Sequence, residues 1–123
     1  MGFNDREIKH IAKYNLHELP TLFLSTYLDK FKDEYQPFGV GYDDLDTVSI
    51  AEIYKKEAAS PAALEFLGGK DASALFKLWQ AAILHKRGVA NFPLDVYRLQ
   101  GGNQGLPNAF AKHLGARVKL NCP

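Results

Sequence analysis

Helix starts and stops punctuate this chain along its whole length, and they restrict it to short helices packed side by side. Asn4 or Asp5 stands where a cap belongs, ahead of a face carrying Ile8, Ile11 and Ala12. Pro20 suits the first turn of a second helix, where its missing N–H goes unneeded. Leu24, Tyr27, Leu28, Phe31 and Tyr35 then recur at spacings of three and four, the period of one helical face, until Pro37-Phe38-Gly39-Val40-Gly41 ends the run. Ser49-Ile50-Ala51-Glu52 spells a capping box, predicting a short helix to about Ala58. Ser60-Pro61 repeats the logic with serine as cap and proline at the first helical position, and Gly68-Gly69 is the stop. From Asp71 or Ser73 the strongest helix begins. Leu75, Phe76, Leu78, Trp79, Ala82 and Ile83 give it a broad apolar face, Lys86 and Arg87 favour its C-terminal dipole, and Gly88 closes it.

The last quarter changes character. Val96–Gln100 and Arg117–Cys122 are the strand candidates, and between them Leu106–Leu114 reads as a helix with Pro107 in its first turn and Gly115 as its terminal glycine. The expected fold is therefore mainly α: a helical bundle-like single domain over 1–123, with two short C-terminal β-strands flanking a helix. Its parts are N-terminal helices over 1–43, further helices over 44–95, and a strand, Gly-Gly loop, helix and strand over 96–123. Two strands alone are marginal, so this pair calls for a neighbouring sheet.

Several function classes fall away. At 123 residues, with 46% hydrophobic and 24% charged residues, the composition is that of an ordinary globular domain. A net charge of +1 offers no footprint for nucleic acid. The lone Cys122 rules out an intrachain disulfide framework, no apolar run is long enough to span a membrane, and Met1–Asp5 lacks signal-peptide architecture. For the chain as given, the favoured compartment is the cytoplasm.

His10, His17 and His113 lack acidic or histidine partners at metal-ligand spacing. Asp43, Asp44 and Asp46 lack the glycine and glutamate of a calcium loop and read as a solvated loop. Trp79 reads as core rather than cage, and no nucleophile elbow is present.

The remaining candidates cluster late. His85, near the end of the long helix, is by default a surface or capping histidine. In a functional role it would donate to a substrate carboxylate or take a proton. Tyr97 and Arg98 alternate on an expected strand, one inward and one outward. Gly101-Gly102-Asn103-Gln104-Gly105 is not the Gly-x-Gly-x-x-Gly of a dinucleotide fold, and Gly39-Val40-Gly41 lacks a third glycine. Taken alone, each is a turn.

Three motifs in order carry a resemblance. Leu45-Asp46-Thr47-Val48-Ser49-Ile50-Ala51-Glu52, Ala59-Ser60-Pro61-Ala62-Ala63, and Gly101-Gly102-Asn103 with Leu106-Pro107 running into the Gly115–Pro123 segment resemble the flavin-dependent amine oxidases and L-amino acid oxidases over Asp44–Pro123. In that family a helical substrate domain stands over an FAD domain. A hydride equivalent leaves the carbon beside the amine for the flavin, the imine hydrolyses, and dioxygen usually reoxidises the flavin. The resemblance implies a fragment of such an enzyme. His85, Phe92, Tyr97 and Arg98 would lie on the substrate side, and Gly101, Gly102 and Asn103 beside the cofactor.

The implied partners are the FAD-binding remainder of the parent and an amine or amino-acid substrate, with neither nucleic acid nor membrane. FAD belongs to the parent. With no dinucleotide fingerprint and no Arg-x-Gly-Gly-Arg loop, the isolated chain is expected to hold none and to be inactive alone, and its exposed apolar surface is expected to drive self-association into a homo-oligomer. The alternative is a self-standing helical interaction module without catalysis.

Overall fold

Residues 2–91 and 97–119 are described by the computed structural model of this protein. They form six α-helices: α1 (Asp5–Tyr14), α2 (Leu19–Leu28), α3 (Ile50–Lys56), α4 (Pro61–Leu67), α5 (Ala74–Lys86) and α6 (Gly105–Leu114). Short 3₁₀ turns cover Leu16–Glu18, Asp43–Thr47 and Gly115–Arg117. The chain divides into two compact units, Met1–Pro93 and Leu94–Pro123.

In the first unit the helix starts follow from local chemistry. Ser49, Ser60 and Ser73 each hold an N-cap, the hydroxyl oxygen accepting from the backbone N–H three residues on. Asn4 completes a full capping box with Glu7. Ser49 makes only the forward half of the box expected there. The cap residues Ser49 and Ser73 also form an isolated antiparallel bridge: the Ile50 N–H donates to the Ala72 carbonyl at 2.9 Å and the Ala74 N–H to the Val48 carbonyl at 2.8 Å. This sets the starts of α3 and α5 side by side. Ser73 Oγ in turn donates to Asp46 at 2.7 Å, tying down the acidic segment, whose Asp43, Asp44 and Asp46 are solvent-exposed as expected but wound into a 3₁₀ turn.

These helices enclose one core. α2 packs on α5, α1 on α2, and α3 on both α4 and α5. Leu19, Phe23, Leu24 and Leu28 of α2 meet Leu75, Leu78 and Ala82 of α5, with Ile50, Ile53 and Tyr54 of α3 filling the remaining side. Gly69 is required where it stands. Its φ is +81°, and a Cβ there would lie 2.3 Å from Ile50 Cγ2.

The expected long stripe after Pro20 breaks early. α2 ends at Leu28, Phe31 is still buried through a turn, and Tyr35 is 80% exposed. Beyond its end the backbone groups find other partners. Asp33 Oδ1 captures the Tyr35 N–H at 2.8 Å, and Trp79 Nε1 donates to the Glu34 carbonyl at 2.9 Å.

In the second unit α6 forms as expected, ended by Gly115 at φ +53°. The two flanking strands are corrected. Tyr97–Gln100 carries no strand, Arg117 closes a 3₁₀ turn and Val118-Lys119 is irregular, so no strand exists among the described residues. Val96 and residues 120–123 lie outside them. An unpaired segment has no ladder to satisfy its backbone, so strand propensity alone does not make a strand.

Candidate functional site

The first unit carries a cleft between α1, α2 and the end of α5. Its outer part is a groove of about 710 Å³ whose lining includes His10, Tyr14, Thr21, Ser25 and His85. Beneath it lies a small cavity of about 70 Å³ walled by Leu24, Leu28, Ala81 and Val89. Glu18, Thr21, His85 and Val89 line both.

Glu18 organises this cleft. It stands at the start of α2, after the 3₁₀ turn Leu16–Glu18 has redirected the chain from α1. Asn15 makes that redirection possible, with a φ of +102° and a side-chain oxygen that accepts from the His17 and Glu18 N–H groups. The Glu18 carboxylate accepts from the Asn91 backbone N–H at 3.0 Å on one oxygen. On the other it accepts from Asn91 Nδ2 at 2.9 Å and Thr21 Oγ1 at 3.2 Å. Its carbonyl bonds to His10 Nε2 at 2.8 Å, and the His10 ring rests against Tyr14 at 4.9 Å. His10 is thus a structural fastener at the groove wall. Tyr54 lines an adjoining cavity of about 270 Å³, and burial pushes its phenol up to about 12, so it stays protonated.

A second carboxylate is wholly buried. Glu7 accepts from the Ser60 N–H at 2.8 Å, Ser60 Oγ at 2.6 Å and the Asn4 N–H at 2.8 Å. Burial raises its carboxyl, but the Ser60 and Asn4 hydrogen bonds, with the nearby Arg6, outweigh this and hold it below the ordinary glutamate value. Ser60 Oγ also accepts from the Ala63 N–H at 3.1 Å, so one side chain joins the α4 cap to α1. Every polar atom of this cluster is satisfied within the fold, which marks it as architecture rather than a reactive centre.

Of the residues singled out from sequence, His85 lies in the last turn of α5, exposed, on the wall shared by groove and inner cavity. Phe92 lies outside the described residues. Tyr97 and Arg98 are both exposed, Tyr97 by 89%, which corrects the expectation that one would face inward. Gly101 and Gly102 hold φ of +84° and +87° in an open turn where a Cβ would meet nothing within 4 Å. The Gly102 N–H donates to the Leu99 carbonyl at 2.9 Å, and the exposed Asn103 accepts the Leu106 N–H at 3.3 Å, leading into α6. These glycines serve a turn and leave an open backbone edge.

Sequence reasoning missed Glu18 and Glu7. Asn4-x-x-Glu7 was a readable capping signature. The pairing of Glu18 with Asn91, across 73 residues, has no local signature. Among the described residues no cluster of three or more His, Cys, Asp and Glu is placed to hold a metal, and no helix is long and apolar enough to cross a membrane. Comparison with known proteins adds nothing to this picture: no family model, curated protein or solved structure matches the chain.

Proposed function

We propose that this chain is a helical, substrate-side segment of a flavin-dependent amine or amino-acid oxidase. The observation that carries the reading is the order of its motifs together with the local structure each adopts. Ser49 and Ser60 are helix caps, Pro61 opens α4, and Gly101-Gly102 is a positive-φ turn that leads into α6 with Pro107 in its first turn. In this role the chain walls the path of an amine or amino-acid substrate, with His85 as a donor on the cleft wall.

FAD would be contacted, not held, by these residues. Gly101-Gly102 offers an open backbone edge to a flat ring or a phosphate, but no strand precedes it among the described residues, so the dinucleotide cradle is lacking. The second unit supports a partner of that kind. Leu106, Phe110 and Leu114 recur every four residues along α6 and are 52%, 58% and 42% exposed, an apolar stripe that a flavin-binding remainder would cover.

The test is co-expression of the chain with the polypeptide encoded upstream and downstream of it. The expected product is one co-purifying complex that retains flavin and whose visible band bleaches anaerobically on addition of an amine or amino acid. A complex that assembles but stays colourless and unreactive would overturn the reading in favour of a non-catalytic interaction module.

A further inference from the structure

We infer that the cavity beside Tyr54 is a binding site for a small monocarboxylate with an apolar body the size of a single ring, the Tyr54 hydroxyl serving as its buried donor and Lys77 as its counter-charge. The inference does not depend on the flavin reading. The cavity, of about 270 Å³, lies within the first unit among α2, α3, α5 and the end of α4.

The observation that points to a ligand is an unmet hydroxyl. Tyr54 is 6% exposed, and its ring is held edge-on to Phe23 at 5.7 Å. A phenol buried to this degree usually finds a partner, but among the described residues the Tyr54 hydroxyl has none. No side-chain polar atom sealed from solvent is left unpaired, so this hydroxyl touches open space, and the space that Tyr54 lines is the cavity. Burial pushes its phenol up to about 12, so it presents a proton at ordinary pH and lacks only an acceptor.

The walls define the rest of the ligand. Lys77, Gln80 and Leu84 reach the cavity from one face of α5, at spacings of three and four. Leu24 of α2, Ile50 of α3 and Leu67 of α4 supply apolar surface around them. Lys77 is the one charged side chain among the described lining residues, and no described carboxylate pairs with it. Its ammonium makes a single long hydrogen bond, 3.4 Å to Gln80 Oε1. One cation, no acid and one neutral donor select an oxyanion. Walls this apolar favour a single charge over a doubly charged phosphate. A cavity of about 150 Å³ already takes a benzene ring, so this one has room for a ring and its carboxylate. Gln80 is exposed, so the cavity meets solvent there and no segment has to move to admit the ligand.

The experiment titrates cyclohexanecarboxylate into the isotopically labelled full chain and follows the Tyr54 backbone amide and the Gln80 side-chain amide by NMR. The expected result is a saturable shift of both, with the neutral cyclohexanecarboxamide about tenfold weaker. Tyr54→Phe removes a hydroxyl that holds nothing in the fold, so the chain should stay folded yet bind the carboxylate about tenfold more weakly. Lys77→Met should erase most of the preference for the acid over its amide. Should Tyr54→Phe lose its dispersed spectrum, the acid-against-amide comparison in wild type and Lys77→Met decides alone. Absence of a saturable shift in wild type, equal binding of acid and amide there, or undiminished binding by Tyr54→Phe would overturn the inference, the last by showing that water alone serves the hydroxyl.

Discussion

Phe23 in α2 and Phe110 in α6 are the same side chain in opposite circumstances. Phe23 is buried, meets Tyr54 edge-on at 5.7 Å and lies under the Arg6 guanidinium at 5.6 Å. Phe110 sits on a helix with no buried residue and no side-chain N-cap. The first unit closes helix starts with serine and asparagine and seals its interior. The second takes its helix from local propensity and glycine stops. A helix of this length is marginal by itself in water, so α6 looks to whatever covers its stripe. The sharpest test is the pair of truncations. Phe23→Ala should cost about 4 kcal/mol in urea-induced unfolding followed by circular dichroism, and Phe110→Ala less than about 0.5 kcal/mol. Equal losses would show that α6 has a buried face after all.

The next contrast is between the two clasping carboxylates and the exposed Glu34–Arg87 pair at 2.9 Å. Glu7→Ala leaves the Ser60 N–H, Ser60 hydroxyl and Asn4 N–H without their acceptor, a cost of about 3 kcal/mol. Arg87→Ala should change stability little, because a pair that water reaches is screened. The Glu7 contribution also has a pH sign. Its folded carboxyl titrates below the unfolded value, so the stabilisation is fully present above the unfolded value and fades as pH falls through the folded one. Melting temperatures of wild type and Glu7→Gln measured down into the acid range should therefore converge. A gap that stays constant would refute the linkage.

Elements that depend on neighbours in sequence were legible. Ser60-Pro61, Ser73 and Gly88 mark helix ends because a cap or a positive φ is a property of a few adjacent residues. α5 was read because its buried Leu75, Leu78 and Ala82 follow one helical face. What escaped depends on partners far along the chain. Tyr35 has the right spacing for α2 but lies beyond an Asp33 turn that takes its N–H. The cleft was visible only as His85, since the groups that shape it, Glu18 and Asn91, meet through folding. The strand expectation around the double glycine failed for the same reason, because a strand is specified by its partner and the local sequence names none.

Two glycines carry the contrast between units to a smaller scale. Gly69 and Gly102 share a positive φ, of +81° and +87°, but only at Gly69 would a Cβ collide with a packed side chain. Gly69→Ala adds the clash with Ile50 to the backbone strain, for a loss of about 2–3 kcal/mol in global unfolding. Gly102→Ala meets open space, and its strain of about 1 kcal/mol should fall on the turn alone. It would show as faster amide exchange at Gly102 and Gly105, with the melting temperature of the first unit unchanged.

The smallest effect has the opposite sign. α4, α5 and α6 are each followed by a glycine in positive φ: Gly68 at +61°, Gly88 at +65° and Gly115 at +53°. α3 ends the same way but with alanine, Ala58 at +61°, where the Ala58 N–H reaches the Lys55 carbonyl at 3.0 Å and the Ala59 N–H the Tyr54 carbonyl at 2.9 Å. An alanine held there strains its Cβ against the carbonyl by about 1–2 kcal/mol. Replacing it with glycine removes that strain but loosens the unfolded chain by roughly 0.4–1 kcal/mol. The strain is the larger, and Ala58 is exposed, so no packing is lost. Ala58→Gly should therefore stabilise the first unit by about 0.5 kcal/mol, read as a small rise in the urea midpoint at unchanged slope. A fall in the midpoint would mean that the turn after α3 is held by its contacts with the core and that the left-handed alanine is no burden to it.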